Sequence, residues 1–217
     1  MPDKSVLNAL DWGKVEGHFR HRVKVSKELL RLLDDRKITA FAELAIGMTE
    51  NAGNYSAAEH PSLRPRIAEN PNWRERVYSL GTQFRTLTDP DDVRSLITKA
   101  NLNYLQIGVG SEMSCMVNPN ISWVCNVRTI WTHLAWTENP GVAEKHLALY
   151  RESSSQSAMD YMSWAEVYHP LLRKTLPEVA DEGAKRAKAV GIAPKGNLFL
   201  WADAIASYAY GKYHGEH

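Results

Sequence analysis

Two residues of opposite charge, Glu112 and Arg128, are the side chains best placed to do chemistry in this sequence. They are the only formally charged residues between Lys99 and His133, and each lies eight positions from Asn120. If the chain turns back at Asn118-Pro119-Asn120, the two meet inside an apolar helical hairpin. A buried charge needs a partner. The pattern therefore predicts an ion pair between them or a site for a ligand or metal.

Glu112, Arg128 and His133 form the candidate catalytic set. The planar fork of arginine suits a carboxylate or phosphate, and a buried glutamate can serve as a general acid or base. The competing interpretation is a salt bridge that fixes the register of the hairpin. The spacing of Arg128 and His133 also fits the Arg-x4-His pattern of a class of helical ribonucleases, a short pattern that arises easily by chance.

Glu166 and His169 have the spacing of metal ligands. A Glu-x-x-His pair lies on one face of a helix, and dinuclear-iron helix bundles use two such pairs with further carboxylates. This sequence has one. Glu59 and His60, in a loop, are further candidate ligands, although such residues are usually solvated. Iron is the candidate cofactor. The alternative to a metal-binding role is that His169 lies at the edge of the core, hydrogen-bonded to a neighbouring residue.

Composition narrows the class of protein. The chain has 217 residues, a net charge of +1 and 24% charged residues, so no overall electrostatic attraction to nucleic acid or an anionic membrane is expected. The amino terminus lacks the pattern of a secretory signal, and the most apolar stretch, 198–210, is too short to span a membrane and contains Asp203. A soluble, cytoplasmic, single-domain protein is expected. Cys115 and Cys125 are expected to be buried thiols, although a disulfide across the hairpin is conceivable.

The elements that position these residues are predicted to be helices, because helical spacing of apolar residues recurs along the chain. We predict an orthogonal or up-down bundle of about 8–10 helices with a central apolar hairpin at 90–137. Segment 49–72 is predicted to be irregular. Loops of this length are often lids or binding loops, and the alternative is that a short helix at 56–60 simply breaks the segment up. The expected helices cover residues 12–34, 40–48, 72–85, about 90–117, 142–152, 156–174, 178–190 and 198–213, and Leu176-Pro177 is expected to start the helix at 178–190. A returning helix that completes the hairpin and ends near 137 is expected to be capped by Ser122 or Asn120.

Three functions are compatible with these patterns. The first is an enzyme with an enclosed small-molecule site, in its concrete form a non-haem iron oxygenase. The second is a non-catalytic helical binding or adaptor protein in which Glu112 and Arg128 only brace the core. The third is an RNA-binding or RNA-cleaving module, which needs a basic surface that the composition does not show. A small-molecule substrate is the expected partner, nucleic acid and membrane are not, and a homo-oligomer is compatible with the sequence.

Overall fold

The computed structural model describes residues 2–8, 10–49, 53–58, 60, 62–152 and 163–215. Helices provide the regular secondary structure of these residues, so the predicted all-α class is confirmed. A 3-10 turn covers Lys4–Leu7 and a π-helical turn covers Trp164–Tyr168. The α-helices are α1 Trp12–Asp34, α2 Ile38–Ala45, α3 Tyr55–Ala58, α4 Leu63–Ala68, α5 Trp73–Arg85, α6 Asp92–Ala100, α7 Ile107–Val117, α8 Val127–Thr137, α9 Pro140–Glu152, α10 His169–Ala189 and α11 Leu198–Tyr213.

The chain divides into two compact units. The continuous unit is His21–Val124, and the two-segment unit joins Met1–Arg20 to Cys125–His217. One boundary falls inside α1, and the other falls just before α8. In the continuous unit α2 packs on α5, and α3, α5 and α6 pack on α7. In the two-segment unit α8 packs on α9, α10 and α11.

The first and last long helices have the predicted bounds. In α1 the apolar face is wide, and Val15, Phe19 and Leu29 are among its buried residues. Such a face gives a helix a continuous surface to bury. α11 is apolar on nearly every side, and its buried residues run without a break from Phe199 to Gly211. Strong apolar patterns of this length made both helices predictable.

The predicted single helix from about 90 to 117 is wrong, because the chain breaks between α6 and α7. Asn101 and Tyr104 have φ values of 50° and 68°, in the left-handed region that ends a helix. The side chain of Asn70 holds the break by donating to the carbonyl of Asn103 at 3.1 Å and accepting from its N–H at 2.9 Å. Arg76 donates to the carbonyl of Ala100 at 2.7 Å. Contacts from distant residues thus outweigh the local helical pattern.

α8 begins later than predicted. Asn126 caps it by accepting from the N–H groups of Arg128 and Thr129, and Thr129 Oγ1 accepts from the N–H of Asn126. This reciprocal arrangement is a capping box. Ser122, one of the two predicted caps, instead accepts from Ser114 Oγ at 2.8 Å, so it bonds back to α7.

Two prolines act differently in the helical segment 163–189. Pro170 lies in the first turn of α10, where a missing N–H costs little. Just before it the hydrogen bonds widen to the π pattern, and the N–H of His169 donates to the carbonyl of Trp164. Pro177 was predicted to start a new helix, but it lies inside α10. The predicted division at Leu176-Pro177 is therefore wrong.

None of the helices in the described part of the chain is both long enough and apolar enough to cross a membrane.

Candidate functional site

The carboxylate of Glu112 is buried in the continuous unit and is bonded at both oxygens. Oε1 accepts from Nη2 of Arg22 at 2.6 Å and from the backbone N–H of Tyr55 at 2.7 Å. Oε2 accepts from the backbone N–H of Ser56 at 2.8 Å and from its Oγ at 2.6 Å. An ionised carboxylate offers about four acceptor positions. These four bonds therefore fill it.

Arg22 is the charged partner of Glu112, and the predicted partner, Arg128, is wrong. The side chains of Arg22 and Glu112 are 0% and 1% exposed. A pairing of Glu112 with Arg128 requires a tight turn at 118–120, but residues 118–126 separate α7 from α8. Arg128 lies in the first turn of α8, in the two-segment unit, and is half-buried. A loop of that length removes the register on which the predicted pairing depended.

Arg22 is not among the candidate residues predicted from the sequence, although its position in α1 carries a signal of burial. It lies seven residues after Val15 and seven before Leu29, and both of these residues are fully buried. Positions seven apart share one helical face. An arginine on the apolar face of α1 is therefore the buried cation that Glu112 requires.

The Arg22–Glu112 pair holds the segment 53–58 in place. The first N–H groups of a helix have no partner within it, and Glu112 accepts two of them at the start of α3. Asn54 adds two bonds: its Nδ2 donates to the carbonyl of Val109 in α7 at 2.9 Å, and its Oδ1 accepts from the N–H of Ala57 at 3.0 Å. The ion pair thus joins α1, α3 and α7, so its role is to stabilise the fold.

Tyr55 extends the cluster toward its rim. Its hydroxyl lies 3.0 Å from Nδ1 of His21, and the guanidinium of Arg22 lies 4.8 Å from its ring centroid. Burial, followed by the charges of Arg22 and Lys24, lowers the pKa of His21. The hydrogen bond between the phenol and Nδ1 of His21 fixes the orientation of the Tyr55 ring over Arg22.

Three of the four predicted metal ligands, Glu166, His169 and His60, lie within the described residues. Glu166 is exposed while His169 is 3% exposed, because the π-helical turn ends between them and an α-helical face does not run through both. His60 is exposed, and Glu59 lies outside the described residues. Across the ranges that the structure describes, no group of three or more His, Cys, Asp or Glu could hold a metal ion. The geometry gives no support to the iron site.

His133, in contrast, lies in a small polar group within the two-segment unit. Its Nδ1 is 2.7 Å from Oγ1 of Thr175 in α10, and its ring centroid is 6.4 Å from that of Tyr168 at an interplanar angle of 73°. Burial lowers the pKa of His133 and raises that of Tyr168. His169, the next residue after Tyr168, has its pKa lowered by burial to about 4. At neutral pH the imidazoles of His133 and His169 are therefore uncharged, and the phenol of Tyr168 is protonated.

The buried imidazole of His169 makes stability depend on pH. The unfolded chain binds a proton at its ordinary pKa of 6.5, whereas the folded chain does not until about pH 4. Stability is therefore unaffected above pH 6.5 and falls as the pH drops from 6.5 toward 4. Between pH 7 and pH 5 we expect His169→Gln to lose about 2 kcal/mol less free energy of unfolding than the unsubstituted protein. Urea unfolding of both proteins at the two pH values measures this, and equal losses would show that His169 is not held neutral.

The two cysteines are buried thiols and not a disulfide, as predicted. They belong to different units, Cys115 to the continuous unit and Cys125 to the two-segment unit. Cys125 Sγ donates to the carbonyl of Trp164, the first residue of the π-helical turn, at 3.4 Å. Burial raises the pKa of the Cys125 thiol well above its ordinary range, so it acts here as a protonated donor and not as a nucleophile.

Comparison of the chain with protein-family models, with curated proteins and with solved structures finds no match in any of the three.

Proposed function

We propose that this chain is a small-molecule-modifying enzyme of the all-α class, with His133 as its general base and Tyr168 as its general acid. The observation that carries the proposal is geometric: Thr175 Oγ1 lies 2.7 Å from Nδ1 of His133, and the ring centroid of Tyr168 lies 6.4 Å from that of His133. A neutral imidazole can accept a proton, and a neighbouring phenol can donate one. The proposal is built on proton transfer and does not require iron.

His133 has the features of a positioned base. Thr175 Oγ1 at Nδ1 orients the imidazole. The proposal requires the tautomer in which Nδ1–H donates to Thr175, since Nε2 is then the nitrogen that can take a proton from a substrate. The lowered pKa keeps the ring unprotonated at neutral pH. A general base must be unprotonated before it can act.

Tyr168 supplies the complementary proton. Its pKa is raised by burial, so the phenol keeps its proton at neutral pH. The side chain is half-buried, which gives it access to a ligand from solvent. It is the last residue of the π-helical turn, and turns of this kind are rare and occur frequently at functional sites.

Glu112 has no catalytic part in this proposal, because its acceptor positions are filled by Arg22, Tyr55 and Ser56. A carboxylate with all its acceptor positions occupied cannot take a proton or a ligand without giving up a bond that holds α3. The function therefore depends on the His133 group and not on the residue pair that the sequence favoured.

The proposal predicts that His133→Gln lowers the turnover of a small-molecule substrate by about 10² or more. A mixture of cellular metabolites is incubated with the unsubstituted protein, and consumed compounds are identified by mass spectrometry. Tyr168→Phe is expected to reduce turnover of the same compound, while His60→Gln, at an exposed histidine, serves as the matched control and leaves it unchanged. Each variant is first shown to keep the helical circular dichroism spectrum.

Two outcomes contradict the proposal. One is that no compound is consumed by the unsubstituted protein. The other is that His133→Gln consumes the same compound at the same rate. Retention of a compound without its conversion would favour the alternative function, a helical binding protein.

A further inference from the structure

An aromatic cluster in the two-segment unit has the composition of a site for an organic cation. Trp131 of α8 lies with its ring centroid 5.9 Å from that of Tyr210 and 5.1 Å from that of Tyr213, both in α11. Glu144 of α9 accepts from Trp131 Nε1 at 2.7 Å through its Oε1. Three aromatic rings and a carboxylate thus converge from three helices.

The side chain of His214 occupies this cluster. Its ring centroid is 4.0 Å from that of Tyr210, 5.4 Å from that of Tyr213 and 6.0 Å from that of Trp131. Nε2 lies 2.9 Å from Oε1 of Glu144, and Nδ1 lies 2.8 Å from the carbonyl oxygen of Tyr210. The imidazole therefore lies in contact with three aromatic rings and close to a carboxylate.

We propose that Trp131, Tyr210, Tyr213 and Glu144 form a binding site for a trimethylammonium group, and that His214 is its intramolecular occupant. Aromatic faces attract cations electrostatically, and cages of aromatic rings recognise quaternary ammonium groups. The carboxylate of Glu144 adds a negative charge at one side. This binding site shares no residue with the proposed catalytic pair His133 and Tyr168, so it does not depend on the proposed function.

The site has a route to solvent and an occupant that can leave. Tyr213 is 48% exposed, and the side chains of His214 and Glu144 are 19% and 30% exposed. His214 follows the last residue of α11, so its side chain can swing out without unwinding the helix. A ligand therefore competes with His214 for the cage.

Choline binding to His214→Ala, measured by calorimetry, tests the proposal. We expect this variant to bind choline at least tenfold more tightly than the unsubstituted protein, because the occupant is gone. The neutral isostere 3,3-dimethylbutanol is the matched ligand and is expected to bind far more weakly. Adding Glu144→Gln to His214→Ala is expected to weaken choline binding at least fivefold. A peptide with trimethyllysine, tested in parallel, shows whether the group arrives on a small molecule or on a peptide.

Clear results overturn the inference. The cage is not a cation site if His214→Ala binds neither choline nor the peptide more tightly than the unsubstituted protein, or if dimethylbutanol binds as well as choline. His214→Gln, which keeps a polar side chain of similar size, replaces the alanine variant if alanine lowers the unfolding temperature. The same criteria then apply to it.

Discussion

Replacing Glu112 with alanine is expected to lower the free energy of unfolding by about 3–5 kcal/mol, since it leaves the guanidinium of Arg22 buried without its counter-charge. It also removes the acceptor from the N–H groups of Tyr55 and Ser56. Each buried donor that loses its partner costs about 1–3 kcal/mol. Urea unfolding measures the total, and faster hydrogen exchange in segment 53–58 is expected to accompany it.

Glu112→Gln is the sharper variant, because it keeps the size of the side chain. A glutamine has one acceptor oxygen and one donor group, whereas both oxygens of Glu112 face donors. The NH2 group of the glutamine, itself a donor, must therefore face two donor groups. We expect a loss of about 3 kcal/mol despite the conserved shape. A loss below about 1 kcal/mol would contradict the described bonding of the carboxylate.

A double-mutant cycle compares the double variant Arg22→Met with Glu112→Met against the single variants Arg22→Met and Glu112→Met. The double variant removes both charges, so it is expected to be less destabilised than the sum of the two single variants. It still leaves two backbone N–H groups of α3 without the carboxylate, so stability returns only in part. Strict additivity of the two single changes would show that the residues do not act as a pair.

Gly53→Ala is the second substitution with a large expected effect, a loss of about 3 kcal/mol. A Cβ at Gly53 would lie 1.9 Å from the carbonyl oxygen of Leu44, a backbone atom at the end of α2. The segment 53–58 would have to move away from α2, and the bonds of Tyr55 and Ser56 to Glu112 would lengthen. Thermal unfolding and hydrogen exchange of this segment report both effects.

Gly17→Ala is the matched control, with the opposite sign. Gly17 is an exposed residue inside α1, and a Cβ there meets nothing within 4 Å. Alanine in a helix interior is favoured over glycine by about 0.5–1 kcal/mol. We expect Gly17→Ala to stabilise the protein by that amount. Equal effects at the two glycines would contradict the close packing of Gly53 against α2.

The elements of this fold were predictable where one apolar stripe persisted over many residues. α1 and α11 met this condition, and their bounds agree with the prediction. The break at 101–106 was not predicted, since it depends on hydrogen bonds from Asn70 and Arg76. The continuity of α10 through Pro177 was not predicted either. Local patterns record which face a helix buries, but they do not record the bonds that end or extend it.

The candidate site shows the same division. The sequence located Glu112 as a buried charge, because no other formal charge precedes Arg128 in that apolar stretch. It did not identify the partner, Arg22, because that residue lies ninety positions away in the chain. His133 was a candidate for its spacing to Arg128, but its contacts are with Thr175 and Tyr168.

By itself, the sequence determined the helical class and the need to compensate a charge at Glu112, because both follow from the periodicity and polarity of neighbouring residues. Only the tertiary structure decided which side chains satisfy that charge. It also decided that Tyr168 lies beside His133, and that His214 lies among aromatic rings. Hydrogen bonds and ring contacts act over a few ångströms, so they depend on how distant segments pack and not on their spacing along the chain.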